Sequence, residues 1–318
     1  MKLPQPPKFR MQHVAVLMGG WSAEREISLK SGTAVADALE AQGYKVSRLD
    51  VNRDIAKQLT SQKPDVCFNA LHGRFGEDGC VQGVLEALQL PYTHSGVLAS
   101  ALAMHKQRAK IIMKASGVPV AEAVVRKRSE VLTERSIALP FVIKPVDEGS
   151  SVGVFILRNE EKLSSIKQDL QKAGAPEDEL MIEKYVPGRE LTCAVIGDFI
   201  TDVIEISPKE GLNFYDFEAK YAPGGSIHQL PAKILPNVYQ LVRKYTGMAH
   251  QALGCKGVSR ADFRYDDTSS GTVELVCLEV NTQPGMTKTS LVPELAQFAG
   301  WSFGDLVRWM IEDASCLR

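Results

Sequence analysis

Apolar and polar residues alternate with a repeating rhythm over the first hundred positions. The run His13 to Met18 (HVAVLM) ends in Gly19-Gly20, and Ser22-Ala-Glu-Arg-Glu then leads into an amphipathic segment that closes near Gly43. This spacing predicts a strand, a glycine turn and a helix. It places Ser22 at the helix N-cap and Glu24 and Glu26 in the first turn, where acids complement the helix dipole. Strand-like 44–50, helix-like 55–61, strand-like 65–70 and helix-like 81–88 continue the alternation. The pattern predicts an open parallel sheet covered by helices, an α/β unit over residues 1–94 with a loose tail at 1–11.

Past residue 95 the rhythm changes to α+β. A helical pattern over 95–116 carries Lys106, and strands are predicted at 118–125, 141–145, 154–157, 180–186, 191–196 and 199–207. Helices are predicted at 160–173, 234–253 and 301–317. Residues 208–231 are polar, aromatic and glycine-rich without clear period, the pattern of a lid loop. The stretch 257–291 reads as a hairpin: VSRADFRY and TVELVCLEVN flank the turn residues DDTSSG, and Ser290 and Leu291 open a helix.

That hairpin holds the strongest candidate chemistry. Asp262 lies on its first strand, and Glu279 and Asn281, two apart, share one face of the second. Two carboxylates and an amide oxygen suit a hard divalent cation such as Mg²⁺. Arg260, two residues before Asp262, projects from the same face, beside any phosphate the metal carries. Gly285, in the loop after Asn281, allows close backbone approach to a ligand. Lys144 ends the apolar run PFVIKP and calls for an anion nearby. The turn after it, with Gly149, Ser150, Ser151 and Gly153, has the short side chains and N–H groups that accept phosphate. His72, in LHGRFGEDG just past the third strand, stands at the sheet edge where open α/β proteins bind ligands. From the residues alone, Glu24 reads better as a helix-dipole acid than as a ligand group.

Composition narrows the classes. The 318 residues are 44% hydrophobic and 24% charged with a net charge of −1, so no nucleic-acid or anionic-membrane partner is expected. The six cysteines show no C-x-x-C spacing, and no run approaches the roughly 18 apolar residues of a membrane span. A cytoplasmic protein is expected. The chain lacks both the Walker A pattern and the G-x-G-x-x-G fingerprint, which argues against P-loop and dinucleotide readings.

The motifs GGWSAERE, ALHGRFGEDG, KPVDEGSSVG, FYDFEAKY, SRADF and LEVNTQPGMTKTSLVP, in that order, resemble those of ATP-grasp carboxylate–amine ligases, and within that superfamily the D-alanine–D-alanine ligase family. The resemblance runs from about Val14 onward. It implies an ATP-grasp fold behind the N-terminal parallel-sheet domain, with a central domain at 95–182 and a C-terminal domain at 183–318 carrying the lid. It implies ATP contacts at Lys106, Lys144, Ser150, Ser151, Glu183, Lys184, Tyr185, Val186, Glu190, Phe214, Lys220 and Asn281. Asp262, Glu279 and Asn281 would hold Mg²⁺ or Mn²⁺, two ions in all. Glu24 would bind the ammonium of the first D-alanine, overturning the dipole reading, with His72 near its carboxylate. Ser290 and Leu291 would dock the second carboxylate. Arg260 and Gly285 would steady the tetrahedral intermediate, while Ser150 and Tyr221 would tie the lid, with Lys220, to Glu24. A homodimer serving peptidoglycan precursor synthesis is implied.

Departures from the family pattern fall at Trp21, His105, Gln283, Lys288 and Thr289. Tyr221 favours a dipeptide product over the ester of a D-alanine–D-lactate ligase. The metal set and Arg260 argue against a regulator that merely binds nucleotide.

Overall fold

The computed structural model describes residues 13–131, 137–149, 153–208, 226–268, 274–287 and 289–318. Ser150, Ser151, Phe214, Lys220, Tyr221 and Lys288, the 1–11 tail and most of the expected lid lie outside them.

The N-terminal alternation folds as β1 (His13–Gly19), α1 (Arg25–Ala41), β2 (Lys45–Val51), α2 (Ile55–Gln62), β3 (Val66–Asn69) and α3 (Cys80–Ala87). The strands pair in parallel in the order β2-β1-β3. Central β1 is buried from Val14 to Met18, which explains its unbroken apolar run. Ser22 does not cap α1. The helix begins at Arg25 with Glu24 in the N-cap position and no side-chain cap bond. Ser22 instead donates its hydroxyl to the His72 carbonyl (2.7 Å) and accepts the Glu24 N–H (3.2 Å), fastening the first turn to the loop after β3.

The expected single helix over 95–116 is two, α4 (Val97–Met104) and α5 (Lys106–Ala115). His105 separates them with an extended backbone (φ −90°, ψ 93°). Next comes a four-stranded antiparallel sheet of β4 (Ala123–Lys127), β5 (Phe141–Pro145), β6 (Phe155–Leu157) and β7 (Glu179–Lys184), ordered β4-β7-β5-β6, with α6 (Leu163–Lys172) between β6 and β7. The strand expected at 118–125 starts only at Ala123; Val120 makes an isolated bridge to Cys277.

A five-stranded antiparallel sheet completes the core: β8 (Arg189–Ile196), β9 (Phe199–Pro208), β10 (Ser226–Gln229), β11 (Val258–Asp266) and β12 (Glu274–Asn281), ordered β10-β9-β8-β11-β12. Strand β10 lies within the segment expected to be all loop, where a four-residue polar strand leaves no legible period. Helix α7 (Pro236–Ala252) precedes the β11–β12 hairpin, and α8 (Leu291–Phe298) and α9 (Phe303–Asp313) follow it.

This sheet is buried on both faces. Leu191, Cys193, Val203, Ala261 and Phe263 share a core with α7 and with Ala103, Ala109 and Met113 of α4 and α5. Residues 103–118, expected with the central unit, thus contribute to the core of the five-stranded sheet. The opposite face, with Ala194, Ile196, Ile204 and Val258, packs with α8, α9, β1 and α1 in one continuous core. Two cores with one sheet between them hold the N-terminal unit and the hairpin in fixed relation. Among the described residues no helix is long and apolar enough to cross a membrane.

His94 lies inside the fold and His250 is half-buried at the end of α7. Burial and the Arg318 charge push His94 down to about 3, and burial with Lys256 pushes His250 down to about 4. Both stay neutral in the fold and protonate near pH 6.5 once unfolded, so their stabilisation is complete above that value and is lost as pH falls towards 4 and then 3. The unfolding free energy is expected to be lower at pH 5.5 than at pH 7 by roughly 2 kcal/mol, with His94→Gln removing about half of the drop. Equal stability at the two pH values, by urea titration, would contradict this.

Candidate functional site

One cleft gathers side chains from three parts of the chain. Glu24 and His72 reach it from the N-terminal unit, Lys106 from α5, and Glu190, Arg260, Asp262, Glu279 and Asn281 from the five-stranded sheet. Gly149, Gly285, Ser290 and Leu291 line it as well.

Antiparallel register builds its floor. Arg260 stands opposite Asn281, and Asp262 opposite Glu279, so four polar side chains form a two-by-two block on β11 and β12. Arg260 grips Asp262 with a fork, Nε to Oδ1 at 2.9 Å and Nη2 to Oδ2 at 2.8 Å. Such a bidentate, charge-assisted pair fixes both planes. Thr192, paired with Asp262 from β8, donates its hydroxyl to Oδ1. Lys106 Nζ lies 3.9 Å from Glu279 Oε2 and donates to the Glu148 carbonyl. Asn281 Oδ1 accepts the Gln283 N–H at 2.9 Å, turning the chain into the 282–290 loop. Among the described residues no three His, Cys, Asp or Glu side chains form a metal cluster; the expected set reaches three donors through the Asn281 amide oxygen. Its donors are all hard oxygens, the chemistry that fits Mg²⁺ or Mn²⁺.

Behind the floor, Lys144 finds its anion within the chain. It stands diagonally across from Glu183 on adjacent strands β5 and β7 and donates to Oε2 at 2.7 Å. Lys110 of α5 lies 2.5 Å from the other oxygen, Oε1. All three are buried. Burial draws the Lys144 ammonium down, but the Glu183 and Glu279 charges outweigh it and leave its pKa raised. Burial likewise lifts the Glu183 carboxyl, and Lys144 with Lys110 overcomes it, leaving the group below the usual carboxylate range. Lys110 escaped the sequence analysis. Its signal was the α5 stripe Lys106, Ala109, Lys110, Met113, in which two lysines occupy core-facing positions.

The other expected nucleotide residues surround the junction of the two antiparallel sheets. Lys184 turns outward to Glu274 (2.8 Å), and the Arg158 and Arg264 guanidinium groups lie 5.2 and 5.9 Å from the Tyr185 ring centre. Arg264 also donates to the Val186 carbonyl at 3.0 Å and stands 3.7 Å from Glu190. Lys144, Glu183, Lys184, Tyr185 and Val186 do not line the cleft itself, whereas Glu190 does.

At the opposite wall the buried Glu24 carboxylate passes between two glycines. A Cβ at Gly73 would come within 2.7 Å of Oε2, and one at Gly149 within 3.3 Å. Gly73 also has φ +70°, which side chains rarely adopt. A side chain at either position would press on the Glu24 carboxylate, and at Gly73 the backbone conformation opposes it as well. His72 holds Glu77 Oε1 through Nδ1 (2.9 Å) and meets Ser31 Oγ through Nε2 (3.3 Å). Ser290 is the N-cap of α8, and its hydroxyl accepts the Thr287 N–H (3.0 Å). Trp21 is exposed and does not line the cleft; its ring lies 4.5 Å from Phe75 and beneath Arg53.

Comparison with known proteins agrees with this architecture. The family model "D-ala D-ala ligase C-terminus" matches residues 112–312 and "D-ala D-ala ligase N-terminus" matches 48–95. The D-alanine–D-alanine ligase of Parvibaculum lavamentivorans is 59% identical over 312 residues, spanning 96% of this chain and 99% of its own. That of Methylorubrum populi is 60% identical over 309 residues, with the same coverage. The crystal structure of D-alanine–D-alanine ligase from Bacillus anthracis complexed with ATP superposes with a TM-score of 0.80 at 28% identity, covering 95% of this chain and 97% of that one. A D-Ala:D-Ser ligase from Enterococcus faecalis gives 0.76 at 28% identity, covering 95% and 99%. Fold and cleft together define an ATP-grasp ligase. The chain belongs to the D-alanine–D-alanine ligase family.

The buried ion trio yields a direct test. Glu183→Ala leaves two lysines buried without their shared anion and is expected to cost about 3–5 kcal/mol of unfolding free energy by chemical denaturation. A loss below about 1 kcal/mol would show that the trio does not hold α5 to β7.

Proposed function

We propose that the protein joins two D-alanine molecules into D-alanyl-D-alanine, converting ATP to ADP and phosphate by way of a D-alanyl phosphate. The observation that carries this reading is the seat of Glu24: a buried carboxylate closed in by Gly73 and Gly149, on the same cleft as Arg260, Gly285 and Ser290. An amino acid needs both an anion for its ammonium and a cationic surround for its carboxylate, and this cleft supports both. The relatives at about 60% identity, named for the same reaction, support the choice of D-alanine.

Glu24 receives the ammonium of the first D-alanine, with His72 on the side of its carboxylate. A carboxylate oxygen then attacks the γ-phosphorus, and the bond from that phosphorus to the bridging oxygen breaks to release ADP. Phosphoryl transfer of this kind depends on charge neutralisation and alignment. Lys106, Lys144 and Lys220 supply positive charge, and Ser150, Ser151, Glu183, Lys184, Tyr185, Val186, Glu190 and Phe214 complete the nucleotide site. Asp262, Glu279 and Asn281 would hold Mg²⁺ or Mn²⁺, which shields the phosphate oxygens when bound. Ser290 and Leu291 dock the second D-alanine, whose amine, having lost a proton, attacks the acyl carbon. Arg260 and the Gly285 N–H face the oxyanion of the tetrahedral intermediate, which expels phosphate. Tyr221 and Ser150 close on Glu24 and keep water from the acyl phosphate. A homodimer in the cytoplasm, supplying peptidoglycan precursors, belongs to the same reading.

The test is product analysis by mass with Mg-ATP and D-alanine, L-alanine, or D-alanine plus D-lactate. D-alanyl-D-alanine formed only with the D-enantiomer is expected; a product from another acid would move the substrate. Arg260→Ala is expected to lower kcat by roughly a hundredfold or more, the effect of losing one oxyanion contact. An unchanged kcat would remove Arg260 from that role.

A further inference from the structure

Gln283 is the second residue of the loop that joins the metal-set residue Asn281 to Gly285 and Ser290. Its carboxamide is not in solvent: the residue is 1% exposed. Its oxygen accepts from Asn69 Nδ2 at 2.6 Å and its nitrogen donates to the Leu71 carbonyl, one residue before His72. Asn69 ends β3 and is itself fully tied, donating also to the Gly76 carbonyl (3.0 Å) and accepting the Leu71 N–H (3.2 Å). The Gly76 carbonyl in turn accepts from Gln82 (2.9 Å). A buried amide network therefore runs from the loop over the hairpin into the His72 loop.

A second tie lies three residues on. Ser31 Oγ accepts the Met286 N–H and meets His72 Nε2, both at 3.3 Å. A hydroxyl that accepts from Met286 has its one proton left for Nε2, which matches a His72 ring that donates from Nδ1 to Glu77. Gly285 is thus bracketed: Gln283 before it and Met286 after it are both bonded to the unit that carries His72.

We propose that Gln283 is a positioning residue of the ligation site, its buried carboxamide setting the 282–287 loop, and with it the Gly285 N–H, against the loop that carries His72. This rests on the reading of the cleft as a D-alanine ligation site. Gln283 touches neither nucleotide nor substrate in this role. It sets the distance between the carbonyl to be attacked and the oxyanion donor, a geometry for which displacement by about 1 Å can cost a hundredfold in rate. A leucine or methionine there would lack the paired donor and acceptor that Asn69 and Leu71 meet, and a serine hydroxyl would be too short to reach both.

The test compares wild type with Gln283→Met, which keeps the length and loses both hydrogen bonds. Three quantities are measured: ADP released per dipeptide formed, the KM of D-alanine, and the KM of ATP. The positioning role is expected to lower kcat/KM for D-alanine by roughly tenfold or more and raise ADP per dipeptide above one, with the KM of ATP within about twofold of wild type. Unchanged coupling and D-alanine KM, with only a lower Tm, would make Gln283 merely structural and overturn the proposal. If Gln283→Met does not fold, Asn69→Ser removes the donor from the other side and is held to the same two outcomes. Failure of the proposal is distinct from failure of the functional reading, because the latter shows as no dipeptide from the wild-type enzyme.

Discussion

A sheet covered on both faces has no solvent side on which to place polar chemistry, and that constraint shapes this molecule. Strands β8 and β11 alternate between two apolar cores, one under α4, α5 and α7 and the other against α8, α9 and the N-terminal unit. Charged groups can stand on such strands only where one cover parts from the sheet. It parts at Thr192, Arg260 and Asp262, which lie on the same face as Ala194, Ile196 and Val258, beyond the reach of the apolar packing. The Arg260–Asp262 fork satisfies these groups in place, so the polar block is preorganised by the same pleat that builds the core.

Convergence of the site follows from that packing. Because the N-terminal unit shares a core with the five-stranded sheet, the loops after β1 and β3 stand at the open end of the hairpin, and Glu24 and His72 face Gly285 and Ser290 across one cleft. The four-stranded sheet adds Gly149, just past β5, and meets α5 through the buried Lys144–Glu183–Lys110 trio. An ion trio of this kind contributes little net stability against an apolar alternative, but it is intolerant of losing one member, so it specifies how α5 meets β5 and β7.

Much of this was legible in the chain. The two-residue spacings of Arg260, Asp262, Glu279 and Asn281 gave their shared face, because a strand has a period of two whatever surrounds it. Lys144 was marked by its apolar neighbours, although the anion it meets is Glu183. Other features depend on contacts between distant segments. The break at His105 follows an apolar stripe that runs on through both helices; β10 is too short and polar to show a period; and Ser22 is drawn from capping by the His72 carbonyl, fifty residues away. Glu24 was ambiguous locally, and its seat between Gly73 and Gly149 exists only when three segments meet. Gln283 and Thr192 owe their roles entirely to partners elsewhere in the chain.

Activation of a carboxylate by phosphorylation leaves a signature in the atoms, since the attacking oxygen departs with phosphate. The most direct measurement is therefore to supply D-alanine with ¹⁸O in its carboxylate, together with unlabelled ATP, and to weigh the phosphate released. Transfer of one ¹⁸O to phosphate per dipeptide is the result this account predicts. Phosphate without label, alongside dipeptide formation, would contradict it, because the acyl group would then have been activated by some route other than attack on the γ-phosphorus.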